Sequence, residues 1–230
     1  KLHTVCIGAE PHSEEQRKRI EQLLGVKAYN CFGMSEMNGP GVAFECTEQN
    51  GLHIWEDNVI VEIVDPVTLQ PVPEGEVGEL VLTTINREAM PLLRYRTRDL
   101  TCILPGDCPC GRTHKRLARF KGRSDDMIIL KGVNLFPIQI EKILMQFKEL
   151  GSNYLITLET IGNSDEMLIE VELSDLFTDD YSALQRLTKG ITRQLKDELL
   201  LTPRIKLVAK GSLPTTDGKA VRVKDHRKLC

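Results

Sequence analysis

Hydrophobic periodicity changes character twice along this chain, and that limits the fold more than any other feature. Residues 2–7 read as a buried strand ending at Gly8. Ser13 is placed to cap a helix over 14–24, with Glu14 and Glu15 in its first turn and Gly25 as its stop. Val26–Cys31 reads as a second strand, so strand, helix and strand predict a βαβ unit in a parallel sheet. The loop expected from Gly33 to Gly41 follows a strand's carboxyl end, where open α/β sheets bind ligands. From about residue 51 the runs become short and alternating: His53–Trp55, Val59–Val64, Gly78–Thr83 and Leu100–Leu104, divided by turn clusters such as Pro73-Glu74-Gly75-Glu76. That texture predicts a small antiparallel β-barrel-like region.

A charged link at 121–126 precedes a third texture. Met127–Leu130 and Val133–Phe136 are expected to pair as a hairpin about Lys131-Gly132, and Pro137 to start a helix reaching about 149. Strands near 153–160 and 166–173, a helix near 180–199, a strand near 204–209 and a polar tail complete the reading. Leu184, Leu187, Ile191 and Leu195 share one face of that helix, which is core packing rather than a membrane surface. The expected fold class is α/β plus α+β: the end of a parallel-sheet subdomain, the β region, then a small α+β C-terminal domain. The domain boundary falls between residues 1–122 and 123–230.

A net charge of −3 argues against a general nucleic-acid binder, which needs a basic face. No apolar run approaches the roughly 20 residues of a membrane helix. Seven cysteines, most set singly in apolar contexts such as Cys6, Cys31 and Cys102, fit a reducing cytoplasm better than a disulfide framework. Cys108-Pro109-Cys110 stands apart. With Cys46 and His53 it makes a donor set suited to tetrahedral zinc, His114 being the rival fourth ligand. Four protein ligands leave no open position, so the role would be structural; reduced cysteines with unrelated roles are the alternative.

Four segments carry the chemistry. Phe32-Gly33-Met34-Ser35-Glu36 places a carboxylate after a strand, where it can hold magnesium; a plain exposed glutamate is the alternative. Arg94-Tyr95-Arg96-Thr97-Arg98-Asp99 puts three arginines on one strand face beside an aspartate able to accept two hydrogen bonds from a ribose diol. On composition alone the same strand reads more readily as cross-strand ion pairs. Gly122-Arg123-Ser124-Asp125-Asp126 has a hinge's composition, or an ordinary linker's. Leu213-Pro214-Thr215-Thr216-Asp217-Gly218-Lys219 is not a phosphate loop, because Leu213 stands where that motif needs Gly. Its lysine can still deliver a point charge to an anion, or be a solvated surface lysine.

Taken in order, these segments resemble the phenylacetate–CoA ligase family of the acyl-adenylate-forming superfamily, over essentially the whole chain. The resemblance implies an ATP-dependent ligase joining a small aryl carboxylic acid to coenzyme A through an acyl-adenylate, with release of pyrophosphate and then AMP. It implies an adenine-side loop at Gly8, Ala9, Glu10 and Pro11, a nucleotide-binding run at Phe32, Gly33, Met34 and Ser35, and magnesium on Glu36. Asn38-Gly39-Pro40-Gly41 continues that loop as the family does. The resemblance further implies a ribose-binding Asp99, Arg123 near ribose or phosphate, a pivot at Asp125 and adenylation by Lys219 on a mobile lid. The hairpin residues Gly132, Val133 and Asn134 would meet coenzyme A; Asn134 stands where many superfamily members carry Arg. The superfamily's phosphate loop and most of the acid pocket are expected upstream of Lys1, so the chain is expected to be the inactive C-terminal half of a longer enzyme, for which the resemblance implies a homodimer. A non-catalytic nucleotide-binding scaffold and an adenylating enzyme that loads a carrier protein remain alternatives.

Overall fold

The computed structural model describes residues 1–37, 39–175, 180–215 and 220–227. The chain divides into two compact units: residues 1–11 with 17–126, and residues 12–16 with 127–230.

In the first unit β1 (Thr4–Ile7) and β2 (Lys27–Met34) run parallel, with α1 (Glu14–Leu24) between them in sequence, as the periodicity requires. The Ser13 hydroxyl oxygen accepts the Gln16 N–H at 3.2 Å, and Gly25 ends the helix at φ +63°. β1 is not the buried strand expected. Among the described residues it pairs only with β2, and its residues alternate between exposed and half-buried. The expected Gly33–Gly41 loop is largely regular structure. β2 continues through Met34, a 3₁₀ turn covers Ser35–Met37, and β3 (Gly39–Glu45) returns antiparallel. A register shift between Phe32 and Met34 accommodates the tight reversal.

Strands β4 (Leu52–Ile54), β8 (Ile103–Leu104) and β9 (Arg116–Leu117) complete a six-stranded sheet in the order β1-β2-β3-β4-β9-β8. A second, antiparallel sheet holds β5 (Val59–Val64), β6 (Gly78–Thr84), β7 (Tyr95–Thr101) and β10 (Gly122–Arg123) in the order β10-β7-β6-β5. The β region is therefore open rather than barrel-like among the described residues. Beyond β5 the pairing stops at a single bridge, Val64 to Pro71, and proline has no N–H to extend a ladder. Leu52, Ile54, Leu80, Leu82 and Leu117, all essentially inaccessible, form this unit's core.

In the second unit β11 (Ile128–Leu130) and β12 (Val133–Leu135) form the expected hairpin. Lys131 at φ +50° and Gly132 at φ +80° give the two consecutive positive angles of a type I′ turn, whose twist matches that of the strands. Pro137 opens α2 (Pro137–Leu144), which ends sooner than its sequence suggests. The Gln146 and Phe147 N–H groups bond the Ile143 and Leu144 carbonyls, so the chain tightens to i→i−3 bonds and turns Phe147 onto the core. Next come β13 (Leu150–Ile161), β14 (Ser164–Leu173), α3 (Tyr181–Leu199), β15 (Arg204–Val208) and β16 (Val223–Asp225), the strands forming a sheet ordered β15-β14-β13-β16. β16 lies in the supposed polar tail; it pairs parallel with β13, a distant partner that no local pattern announces. Met167, Ile169 and Val171 alternate into the core against Leu187, Ile191 and Leu195 of α3. No helix among the described residues is long and apolar enough to cross a membrane.

Ile156, fully buried in the centre of this sheet, tests the packing. Ile156→Ala is expected to cost about 2–5 kcal/mol in equilibrium urea unfolding, and a loss under about 1 kcal/mol would contradict it.

Candidate functional site

Because β1 and β2 are parallel, the segments following their carboxyl ends emerge at one edge of the sheet. Gly8, Ala9, Glu10 and Pro11 follow β1, and Phe32, Gly33, Met34 and Ser35 close β2 and enter the 3₁₀ turn. Glycine is required at position 8: a Cβ there would sit 2.5 Å from the Cys31 carbonyl oxygen and 2.6 Å from its Sγ. Ala9 adopts φ +68°, a left-handed conformation that costs energy for any residue with a side chain. Glu36 is exposed on the 3₁₀ turn, and its backbone carbonyl accepts a hydrogen bond from the Arg87 guanidinium. The carboxylate is thus open to solvent on a pinned backbone, a geometry suited to holding a hydrated divalent cation. The Phe32 ring packs on Phe120, centroids 4.4 Å apart, just before β10.

β10 brings the Gly122–Asp126 segment onto the strand that carries Asp99. Arg123 lies opposite Asp99 in the β10–β7 register, its guanidinium 3.9 Å from the Asp99 carboxylate. The same guanidinium makes two 2.9 Å hydrogen bonds to Asp125, which hold the Asp125 carboxyl below the usual range. The Ser124 N–H donates to the Arg98 carbonyl at 2.7 Å, and Arg123 also reaches the Thr97 carbonyl at 3.3 Å. Asp99, Arg123 and Asp125 therefore form one charged cluster.

Beneath this cluster lies a residue the motifs did not flag. Glu79 on β6 is fully buried and accepts two hydrogen bonds from Arg96, at 2.8 and 2.7 Å. Arg98 approaches to 3.9 Å and the Ser124 hydroxyl to 3.4 Å. Burial alone would push this carboxyl up; the Arg96 ion pair and its neighbours more than reverse that, leaving it below the usual range. A glutamate in the otherwise apolar run Leu80-Val81-Leu82 was the available signal. Of the three arginines, Arg94 pairs with Glu62 and Arg96 with Glu79, so two are committed to cross-strand pairs.

The hairpin residues Gly132, Val133 and Asn134 belong to the second unit, on its β11–β12 turn and strand. A Cβ at Gly132 would meet nothing within 4 Å, and Asn134 is exposed, so this turn offers open backbone. Asn38, Gly218 and Lys219 lie outside the described residues.

The cysteine expectation is met in space. Ligand atoms of Cys46, His53, Cys108 and Cys110 all lie within 4.8 Å of one another, with His53 rather than His114 as the fourth member. Cys46 Sγ and Cys108 Sγ are 3.7 Å apart, and Cys110 Sγ and His53 Nε2 are 3.5 Å apart. A tetrahedral zinc with its usual bond lengths needs S–S edges of about 3.8 Å and S–N edges of about 3.6 Å. Burial pushes the Cys46 thiol up to about 11, while the Arg112 backbone N–H and guanidinium bring Cys110 down to about 7. Burial also lowers the imidazole of His53, which favours the neutral, ligating form. Thiols this close cannot ionise together without a cation between them, so the donor set fits a divalent metal.

Two family models match the sequence: the AMP-binding enzyme model over residues 1–86, and the AMP-binding enzyme C-terminal domain over residues 132–227. The chain is 43% identical to the phenylacetate–coenzyme A ligase of Thermus thermophilus, across 99% of this chain and 54% of that protein. It is 73% identical to a crystallised domain of the phenylacetate–coenzyme A ligase from Bacteroides vulgatus, over 46% of this chain and 97% of that one, with a TM-score of 0.44. A 2-hydroxyisobutyryl-CoA ligase in its postadenylation state, bound to 2-HIB-AMP, superposes with a TM-score of 0.87 at 31% identity, covering 96% of this chain and 48% of that one. The chain thus spans about half the length of the curated relatives it matches.

The buried ion pair makes a pH prediction. In the native protein Glu79 has a depressed folded pKa, so its contribution is present above the unfolded carboxyl pKa and is lost as pH falls through the folded one. In Arg96→Met burial is expected to dominate and raise that pKa, so protonation would relieve the penalty. The stability deficit of Arg96→Met in urea unfolding should shrink as pH falls from about 7 to about 4; a deficit independent of pH would contradict the pairing.

Proposed function

The chain belongs to the phenylacetate–CoA ligase family of AMP-binding enzymes, and on that premise we propose that the protein of which it is part joins a small aryl carboxylic acid to coenzyme A. The acid would attack the α-phosphate of ATP, releasing pyrophosphate, and the thiol of coenzyme A would then displace AMP from the acyl-adenylate. The observation that carries this reading is the Asp99–Arg123–Asp125 cluster, which sets a carboxylate acceptor beside a guanidinium on the hinge segment.

Each residue answers part of one charge problem, an anionic acid approaching an anionic phosphate. Asp99 would accept both hydroxyls of the ribose and so hold the α-phosphorus in line for attack. Arg123 would bind near ribose or phosphate, with Asp125 as the pivot of a mobile lid formed by residues 123–230. Gly8–Pro11 would flank the adenine, with Phe32–Ser35 completing the nucleotide side. Glu36 is the side chain that would hold magnesium, which when bound supplies charge neutralisation at the phosphates. Lys219 would bring a fixed positive charge to the reacting carboxylate and phosphate. The open turn at Gly132, with Val133 and Asn134, would admit the pantetheine chain of coenzyme A. Two described states of the related 2-hydroxyisobutyryl-CoA ligase, postadenylation and thioesterification, support a two-step scheme of this kind. The free thiols of Cys6, Cys31 and Cys102 suit a reducing cytoplasm.

ATP–pyrophosphate exchange by the full-length protein, across a panel of aryl and aliphatic acids, tests the reaction; exchange with no acid would refute it. Lys219→Ala should abolish exchange while sparing thioester formation from supplied acyl-adenylate. Equal loss of both steps would refute the rotating lid.

The Cys46–His53–Cys108–Cys110 site we assign to a structural zinc that ties the loops before β4 and after β8 to β4 itself. Protein purified without added zinc should carry about one equivalent per chain, and Cys108→Ser should lose it. Less than half an equivalent in the native protein would sink the assignment.

A further inference from the structure

Lys219 can act only if the segment carrying it is held at a fixed place. Both ends of that segment, Leu213 and Arg222, meet the same side chain network in the second unit. Glu172, a buried carboxylate near the end of β14, accepts the Leu213 N–H at 2.9 Å and the Asn153 side-chain amide N–H at 3.2 Å. The other end of that amide, Asn153 Oδ1, accepts from the Arg222 guanidinium at 2.8 Å. Arg222 also stacks over the Tyr154 ring at 4.6 Å, and its carbonyl accepts the Ile156 N–H at 2.9 Å as β16 begins.

We propose that Asn153 is a positioning residue for the lysine-bearing segment, a single amide that holds Arg222 directly and Leu213 through Glu172. The proposal rests on the acyl-adenylate reading above and extends it to how the lysine is presented. The chemistry leaves little choice of side chain. A carboxylate only accepts and a guanidinium only donates, so the group between them must donate on one side and accept on the other. An amide does both at the needed separation, and its orientation is set by its two partners. The backbone is shaped to deliver it. The β13–β14 register shifts between Leu150 and Tyr154, and a bulge of this kind re-aims side chains. At Gly151 a Cβ would come within 3.2 Å of the Glu172 carbonyl oxygen, so the two strands lie close there. Burial raises the Glu172 carboxyl, but the Leu213 and Gly211 N–H groups, Asn153 and Lys210 outweigh it and keep it ionised.

The test uses the full-length protein and both half-reactions. Asn153→Ala should lower ATP–pyrophosphate exchange by about 10- to 100-fold, since small displacements of a reacting group cost rates of that order. Thioester formation from supplied acyl-adenylate should change by less than about threefold. Asn153→Asp keeps the acceptor for Arg222 but faces Glu172 with a second carboxylate, and should lose exchange likewise. Adding Glu172→Gln to Asn153→Asp restores a donor between the two side chains and an acceptor for the Leu213 N–H, and should recover exchange. Trypsin cleavage after Lys219 should quicken in both single variants and slow again in the double variant. Equal loss of both half-reactions, or a double variant no better than Asn153→Asp, would overturn the clamp. If the native protein exchanges with no acid, the ligase reading fails instead, and the trypsin series still decides whether the clamp exists.

Discussion

A buried negative charge sets the geometry of the first unit. Glu79 occupies a position on β6 where its neighbours are aliphatic, and an unpaired carboxylate there would cost several kcal/mol. The sheet must therefore bring arginine to it, and β7 does so with Arg96 and Arg98. Once that register is fixed, Asp99 follows at the next position, and β10 lays Arg123 across from it. The hydroxyl of Ser124 touches the same carboxylate, so the segment after β10 and the strand that carries Asp99 share one electrostatic anchor. Buried pairs of this sort add little net stability over an apolar core, but they do specify one register against its alternatives.

Much of this was legible in the sequence because the controlling signals were local. Ser13, Gly25, Lys131-Gly132 and Pro137 each act within a turn of where they stand, and each marks its element correctly. The cysteine–histidine cluster was legible for another reason: Cys-x-Cys has few uses, and the sequence offered Cys46 with His53 or His114 to complete a donor set, a choice that only the fold decides in favour of His53. What escaped was set by partners far along the chain. β16 exists because β13 offers it a ladder, α2 stops early because the core claims Phe147, and the β region stays open where Pro71 interrupts pairing. Glu79 and Glu172 escaped similarly, since a glutamate in a strand reads as surface until the fold shows what covers it.

The two units solve the same problem with different partners. Each buries a carboxylate beside a segment proposed to serve the chemistry, Glu79 beside Ser124 and Glu172 beside Leu213. In each case the acid binds backbone or hydroxyl donors of the functional segment as well as a neighbouring polar side chain. The cysteine–histidine site works differently. It recruits donors from three separated stretches of the first unit, so a bound cation would stitch those stretches together.

The crowding at Gly8 bears on redesign. The Cys31 carbonyl leaves no volume for even a methyl group at that position, so any larger residue would have to pry β1 away from β2. Any redesign of this edge of the sheet must leave that glycine alone. The freedom lies just beyond it, at Ala9, Glu10 and Pro11, where the chain has already left the β1–β2 ladder.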